Sequence, residues 1–199
     1  MNNDNLLIKG AEMADITKEV NDKNRIIYMH GEFNENKAKE IVNSLLTLES
    51  QDPTKDIIMY IDSYGGYVHS LLAIHDVMRL CRCDIATICI GKAMSCGQML
   101  LMSGTKGKRF VTPNARVLLH EISTGTFGTL KDVEIDIIEA KKLQKILESL
   151  VLKYSKIKKN EIRGIFDRDH FFSAEETVKF GLADHVLTTS KALYKIVNV

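Results

Sequence analysis

Apolar runs and helical periodicities alternate along the first half of the chain. Arg25 to His30 (RIIYMH) reads as a strand ended by Gly31. Asn34 is placed to cap a helix carrying Ile41, Leu45, Leu46 and Leu48, which Asp52-Pro53 closes. Asp56 to Ile61 (DIIMYI) is a continuous apolar run of the kind buried on both faces of a parallel sheet. The loop Asp62-Ser63-Tyr64-Gly65-Gly66 then leads into a helix with Val68, Leu71, Leu72, Ile74, Val77, Met78 and Leu80. Asp84 to Ile90 is a third strand, broken by Gly91, and Gln98 to Met102 restarts a helix after a tight turn at Ser95. Strand, helix, strand, helix in this order predicts right-handed βαβ units and an α/β fold.

The second half is less regular. Lys108 to Thr112 and Arg116 to His120 read as short strands joined at Pro113-Asn114, and residues 122–129 (ISTGTFGT) as an extended ribbon. Leu130 to Tyr154 is the longest helical pattern, with Val133, Ile137, Ala140, Leu143, Leu147, Leu150 and Tyr154 stepping by three or four. Such a helix is about 37 Å long, so part of it should protrude from a compact domain. Ile135, Ile138 and Ile146 form a second apolar line that a monomer would leave wet, which predicts subunit association. Asn160 to Phe166 predicts a short helix, Asp169 to Phe172 an extended piece, and Ser173 a cap for a helix ended by Gly181. Asp184 to Leu187 is a last strand, and residues 191–199 form a tail with no pattern of their own. Residues 1–24 read as an N-terminal arm and residues 25–199 as one domain, because only two prolines and no low-complexity run divide the chain.

Composition narrows the function classes. In 199 residues, 27 basic and 26 acidic side chains leave a formal net charge of +1, so no overall field steers the chain toward nucleic acid or anionic membrane. No apolar run is long enough for a membrane span and the amino terminus lacks a signal-peptide pattern, so a cytoplasmic location is expected. The four cysteines, Cys81, Cys83, Cys89 and Cys96, lack zinc-ligand spacing and read as reduced, small apolar residues; no metal is expected. Neither a dinucleotide fingerprint nor a P-loop is present, and no cofactor is called for.

The chemistry centres on the Ser95 turn. A serine between a strand and a helix is displayed outward, with the N–H of Cys96 beside it, although the same position suits a plain N-cap. Residues 93–97 lack the first glycine of G-x-S-x-G. His120, at a strand end, is the candidate base, and Asp169 the group to hold its tautomer. Together with N–H groups of Gly65 and Cys96 for an oxyanion, these supply every part of an acyl-transfer site.

Across ESQDPTKDIIMYIDSYGG, DIATICIGKAMSCGQMLLMSGTKGKRFVTPNARVLLH and FDRDHFFSAEETVKFGLADHVL the chain resembles the Clp protease proteolytic subunit family (ClpP), over roughly residues 25–187. The resemblance implies a ClpP/crotonase-like fold of repeated ββα units with residues 130–154 as a handle helix. It implies a serine endopeptidase with Ser95 as nucleophile, His120 as base and Asp169 as orienting acid. It further implies an oxyanion hole at Gly65 and Cys96, and substrate contacts at Gly66, Gly125 and Phe127. The partners it implies are further copies of the chain in two stacked heptameric rings, an AAA+ unfoldase ATPase ring, and unfolded protein or peptide substrates. The chain departs from the family's Asn-Ser-Pro-Gly-Gly at Asp62-Ser63-Tyr64-Gly65-Gly66, and has Glu121-Ile122 where Gln-Pro is common. Rival readings are a catalytically weak or partner-activated ring subunit, a crotonase-type acyl-CoA enzyme, and a Ser-Lys peptidase using Lys92 or Lys106.

Overall fold

The computed structural model describes residue 21 and residues 23–199; the arm expected over residues 1–24 lies almost wholly outside them. Five strands form a parallel path in the order β1 (Ile26–Phe33), β2 (Ile57–Gly66), β3 (Ile85–Met94), β4 (Arg109–Val111) and β7 (His185–Val186). β5 (Arg116–Leu119) pairs in parallel with the far half of β3, and β6 (His170–Phe172) pairs antiparallel with β5. From Ile26 onward the helices are α1 (Glu35–Gln51), α2 (Val68–Leu80), α3 (Cys96–Met102), α4 (Leu130–Tyr154), α5 (Ile162–Phe166), α6 (Ala174–Lys179) and α7 (Ser190–Leu193). This is the mixed α/β architecture, with a largely parallel sheet, that the alternation of patterns predicts.

Both faces of the sheet are covered, which is why its central strands read as unbroken apolar runs. On one face Met59, Ile61, Cys89 and Val111 join Leu45, Leu71, Leu100 and Leu101 of the helices in the main core. On the other, Ile58, Ala86, Ile88 and Phe110 are closed over by Leu193 and Val197. The tail is therefore a built part of the fold: the Asp56 and Asn198 backbones bond at 2.7 Å, and Asn198 N–H donates to Asp56 Oδ2 at 3.0 Å.

Two expectations change in structural detail. β3 does not stop at Gly91 but runs on to Met94, changing partners as it goes. Thr87, Ile88 and Cys89 pair with β4, and Lys92, Ala93 and Met94 pair with β5. Gly91, at φ +63, allows the bend between the two halves. The neighbouring strands are irregular at the same level, between His30 and Glu32 of β1 and between Ile61 and Ser63 of β2. The second change concerns residues 122–128, which form no strand pairing.

α4 spans Leu130–Tyr154, opened by a capping box between Thr129 and Asp132. Of its apolar positions only Leu147 and Val151 are buried, while Leu130, Ile135, Ile137, Ile138 and Ile146 are exposed. Its first half thus projects from the body of the protomer.

Candidate active site

Ser95 sits where β3 hands over to α3, at φ 53 and ψ −119. Apart from Arg25 it is the one non-glycine residue with positive φ among those described. Such a backbone costs on the order of 1–3 kcal/mol and persists only where its surroundings enforce it. Three surroundings do so here. Ser95 N–H donates to Leu118 O at 2.9 Å, continuing the β3–β5 ladder, and Ser95 O accepts from Met99 N–H at 3.1 Å as the first bond of α3. Beneath the turn, Gly65 comes so close that a Cβ on it would lie 2.8 Å from Ser95 Cβ and 3.0 Å from Met94 O. The Ser95 side chain makes no capping hydrogen bond, so the plain N-cap alternative does not describe it.

Strand register gathers the other two candidates. Met94 is opposite Leu118 in the parallel β3–β5 pair, and Leu119 is opposite His170 in the antiparallel β5–β6 pair. His120 and Asp169, one step beyond, therefore face each other beside the Ser95 turn. His120 Nδ1 lies 3.4 Å from Asp169 Oδ1, which leaves the opposite ring nitrogen for another partner. His170 turns to the other side and stacks on Phe172, with ring centroids 4.5 Å apart.

The expected oxyanion donors divide. Cys96 is the first residue of α3, so its N–H has no partner within the helix. The N–H of Gly65 is already used, donating to Ser63 Oγ at 3.0 Å, while Ser63 Oγ itself donates to Gly31 O. Gly66 offers the alternative. It pairs with Phe33 through its neighbours, Tyr67 N–H donating to Phe33 O at 2.8 Å, so its own polar groups turn away from β1. Its carbonyl accordingly meets Cys96 Sγ at 3.2 Å. No side chain fits at Gly66, where a Cβ would lie 2.5 Å from Phe33 O.

Cys96 does not compete as a nucleophile. Burial pushes its thiol up to about 11, so it carries no thiolate near neutrality. The lysines of the Ser-Lys reading are placed elsewhere in charge and in space. Lys92 is held as an ammonium: its hydrogen bond to Asp62 Oδ1 at 2.6 Å raises its pKa above the ordinary lysine value. Lys106 precedes β4, at the opposite end of the parallel sheet from Ser95.

A cavity of about 360 Å³ adjoins His120 along the chain, between Glu121, Ile122 and Thr124 of the segment that follows it and Ile137, Ala140, Gln144 and Lys145 of α4. Gln144 fixes its floor, accepting from Ile122 N–H and donating to Glu148, both at 3.0 Å. The sequence pattern gave no hint of Gln144, a polar residue on a helix read for its apolar stripe. Gly125 has open space around the position a Cβ would take, and Phe127 is 99% exposed, so neither is packed against the Ser95 group within one protomer. Among the described residues no cluster of three His, Cys, Asp or Glu side chains is arranged to hold a metal ion. None of the helices among them is long and apolar enough to cross a membrane.

A family model described as Clp protease matches residues 8–190. The chain belongs to the Clp protease family. Membership accounts for the parallel-dominated α/β fold and makes the coarse function that of a ClpP-type peptidase.

Proposed function

We propose that this Clp protease family member is a serine endopeptidase that cuts unfolded protein and peptides through Ser95, His120 and Asp169. The observation that carries the reading is the left-handed backbone of Ser95 at a strand-to-helix turn, with the His120–Asp169 pair aligned beside it by two strand registers. Ser95 Oγ attacks the scissile carbonyl carbon while its proton passes to the free nitrogen of His120. Asp169, on Nδ1, favours the required tautomer and stabilises the imidazolium. The N–H groups of Gly66 and Cys96 receive the oxyanion; Gly65 supports the turn without itself donating. His120 then gives its proton to the leaving amine, and water repeats the sequence on the acyl-enzyme to release Ser95. No cofactor enters these steps.

The substrate chain lies along residues 122–128, Gly125 included, as the strand partner that this segment lacks in the protomer, with a side chain entering the cavity beneath Ile122. Copies of the protein assemble as two stacked heptameric rings through the apolar faces of α4 and Phe127. An AAA+ unfoldase ring delivers unfolded chains to them, in the cytoplasm.

Labelling with a fluorophosphonate, read by mass spectrometry, tests the core of the proposal. One adduct on Ser95 is expected, absent from Ser95→Ala and lost in His120→Ala. Peptide hydrolysis should fall by about 10⁴-fold or more in each variant. An assembled protein that hydrolyses peptide yet labels elsewhere, or not at all, would overturn the assignment.

A further inference from the structure

The three strands that lead to the site are irregular at one level, and one side chain ties them together there. Asp62, at the β2 irregularity, places Oδ1 2.6 Å from Lys92 Nζ of β3 and Oδ2 3.2 Å from His30 Nδ1 of β1. Gly91, at the bend of β3, leaves room for this carboxylate: a Cβ there would lie 3.2 Å from Asp62 Oδ1. Lys92 also stands over the ring of Tyr64, 4.5 Å from its centroid, although that ring is otherwise solvent-exposed. The next residue along β2 completes the tie from within, Ser63 Oγ bonding both Gly31 O and Gly65 N–H. Residues 62 and 64 are where the chain departs from Asn-Ser-Pro-Gly-Gly, and a tyrosine does not fix the backbone as proline does.

We infer that Asp62, Lys92 and Tyr64 form a clamp that positions Gly65 and Gly66 against the Ser95 turn, so that Asp62 and Lys92 are positioning residues for the reaction proposed above. The charge pair restrains β2 against β3 immediately before both segments enter the site. The cation over Tyr64 restrains the loop where no proline does. None of the three touches substrate; they act by fixing the direction of the Gly66 N–H, whose alignment matters most once negative charge develops on the oxygen. Loosening the clamp should therefore lower kcat and leave KM nearly unchanged, and it should lower the rate constant of Ser95 labelling, whereas simple loss of folded protein lowers the extent of labelling and not its rate constant.

The experiment compares wild type, Lys92→Ala, Lys92→Arg, Asp62→Ala and Tyr64→Ala as assembled protein, by fluorophosphonate labelling rate at Ser95 and by peptide kinetics. Lys92→Ala and Asp62→Ala should each slow labelling and kcat by about 10- to 100-fold with KM within about twofold, and Tyr64→Ala should slow both less. Lys92→Arg, which keeps the cation, should recover most of the rate. Melting temperature, followed in parallel, should drop by no more than a few degrees in each variant. The clamp is overturned if wild type labels at Ser95 and the alanine variants match it, or if arginine rescues no better than alanine. Failure of the wild type itself to label would instead strike the reaction assignment. Should Asp62→Ala not fold, Lys92→Ala and Lys92→Arg carry the same test alone.

Discussion

Asp184 shows how much a single residue holds at the end of the sheet away from Ser95. Its two oxygens take Arg109 Nη2 at 2.6 Å and Nε at 2.8 Å, and Oδ2 also accepts from Gly107 N–H at 2.7 Å. Arg109, buried in turn, spends its remaining nitrogen on the carbonyls of Met102 and Tyr154. Burial alone would raise the Asp184 pKa, but the Arg109 hydrogen bonds and charge and the backbone N–H groups outweigh it, leaving the carboxyl below its ordinary value. A depressed folded pKa stabilises the protein above the unfolded value of about 3.9 and loses that contribution as pH falls through the folded value. Asp184→Asn should thus cost about 3–5 kcal/mol at pH 7, by leaving Arg109 buried without its counter-charge. The gap to wild type should begin to narrow as pH falls below about 4 and go on narrowing as pH falls through the folded value, which urea unfolding at pH 7 and pH 3 would register as a smaller difference at pH 3. At this scale the sequence offered Ser95, His120 and Asp169 as candidates, because each lies at the end of a readable apolar run. It gave no sign that the N–H of Gly65, the expected oxyanion donor, is taken up by Ser63 Oγ, because that is a side-chain hydrogen bond at the irregular end of β2.

Elements whose patterning is local were legible for the same reason: caps and periodicity act over a few residues. Asn34, Ser173 and Gly181 mark their helix ends as expected, Asn34 Oδ1 accepting from Lys37 N–H at 2.9 Å. What joins the elements was not legible. α1 ends with no basic residue in its last turn, yet the Leu48 carbonyl of that turn is not left to water. Arg25, in the segment before β1, reaches across to donate to Leu48 O at 2.8 Å, Asp52 O at 2.9 Å, Lys55 O at 3.0 Å and Asp56 O at 3.0 Å. It is buried and held at φ 56, so one residue supplies the cap of a helix and the closure of the loop into β2. Nothing in the run RIIYMH distinguishes such an arginine from a surface one. Arg25→Leu preserves the aliphatic bulk but takes the side-chain donors from four carbonyls, of which Leu48 O keeps the Asp52 N–H at 3.3 Å, and should cost on the order of 3 kcal/mol in urea unfolding. Lys23→Leu, an exposed change two residues earlier, should leave the midpoint within about 0.5 kcal/mol of wild type.

At the scale of the whole molecule, the unresolved demand of the fold is the front half of α4. Leu130 is 74% exposed, Ile135 63% and Ile138 55%, with Phe127 bare on the adjoining loop, while the same helix is anchored to the core only near its far end by Leu147 and Val151. Scattered apolar residues on a surface need no explanation, but this group is contiguous along a helix and sits on a part that projects from the body. The helix is nevertheless well specified by its own capping box, so what it lacks is a packing partner and not local order. A second copy presenting the same stripe would bury both at once, as a two-fold contact requires. This contact would also bear on the site, because Gln144 of the same helix holds Ile122 of the segment that follows His120. Ile135→Glu with Ile138→Glu places charge into that contact at positions with no role in the protomer core. The double variant should keep the protomer's circular dichroism unchanged. Sedimentation velocity should show assemblies about half the wild-type mass, as single rings would be, and peptide hydrolysis should fall while the serine remains in place. An assembly unchanged in mass would mean that α4 meets something other than its own copy, and the apolar stripe would then have to be explained by a different protein.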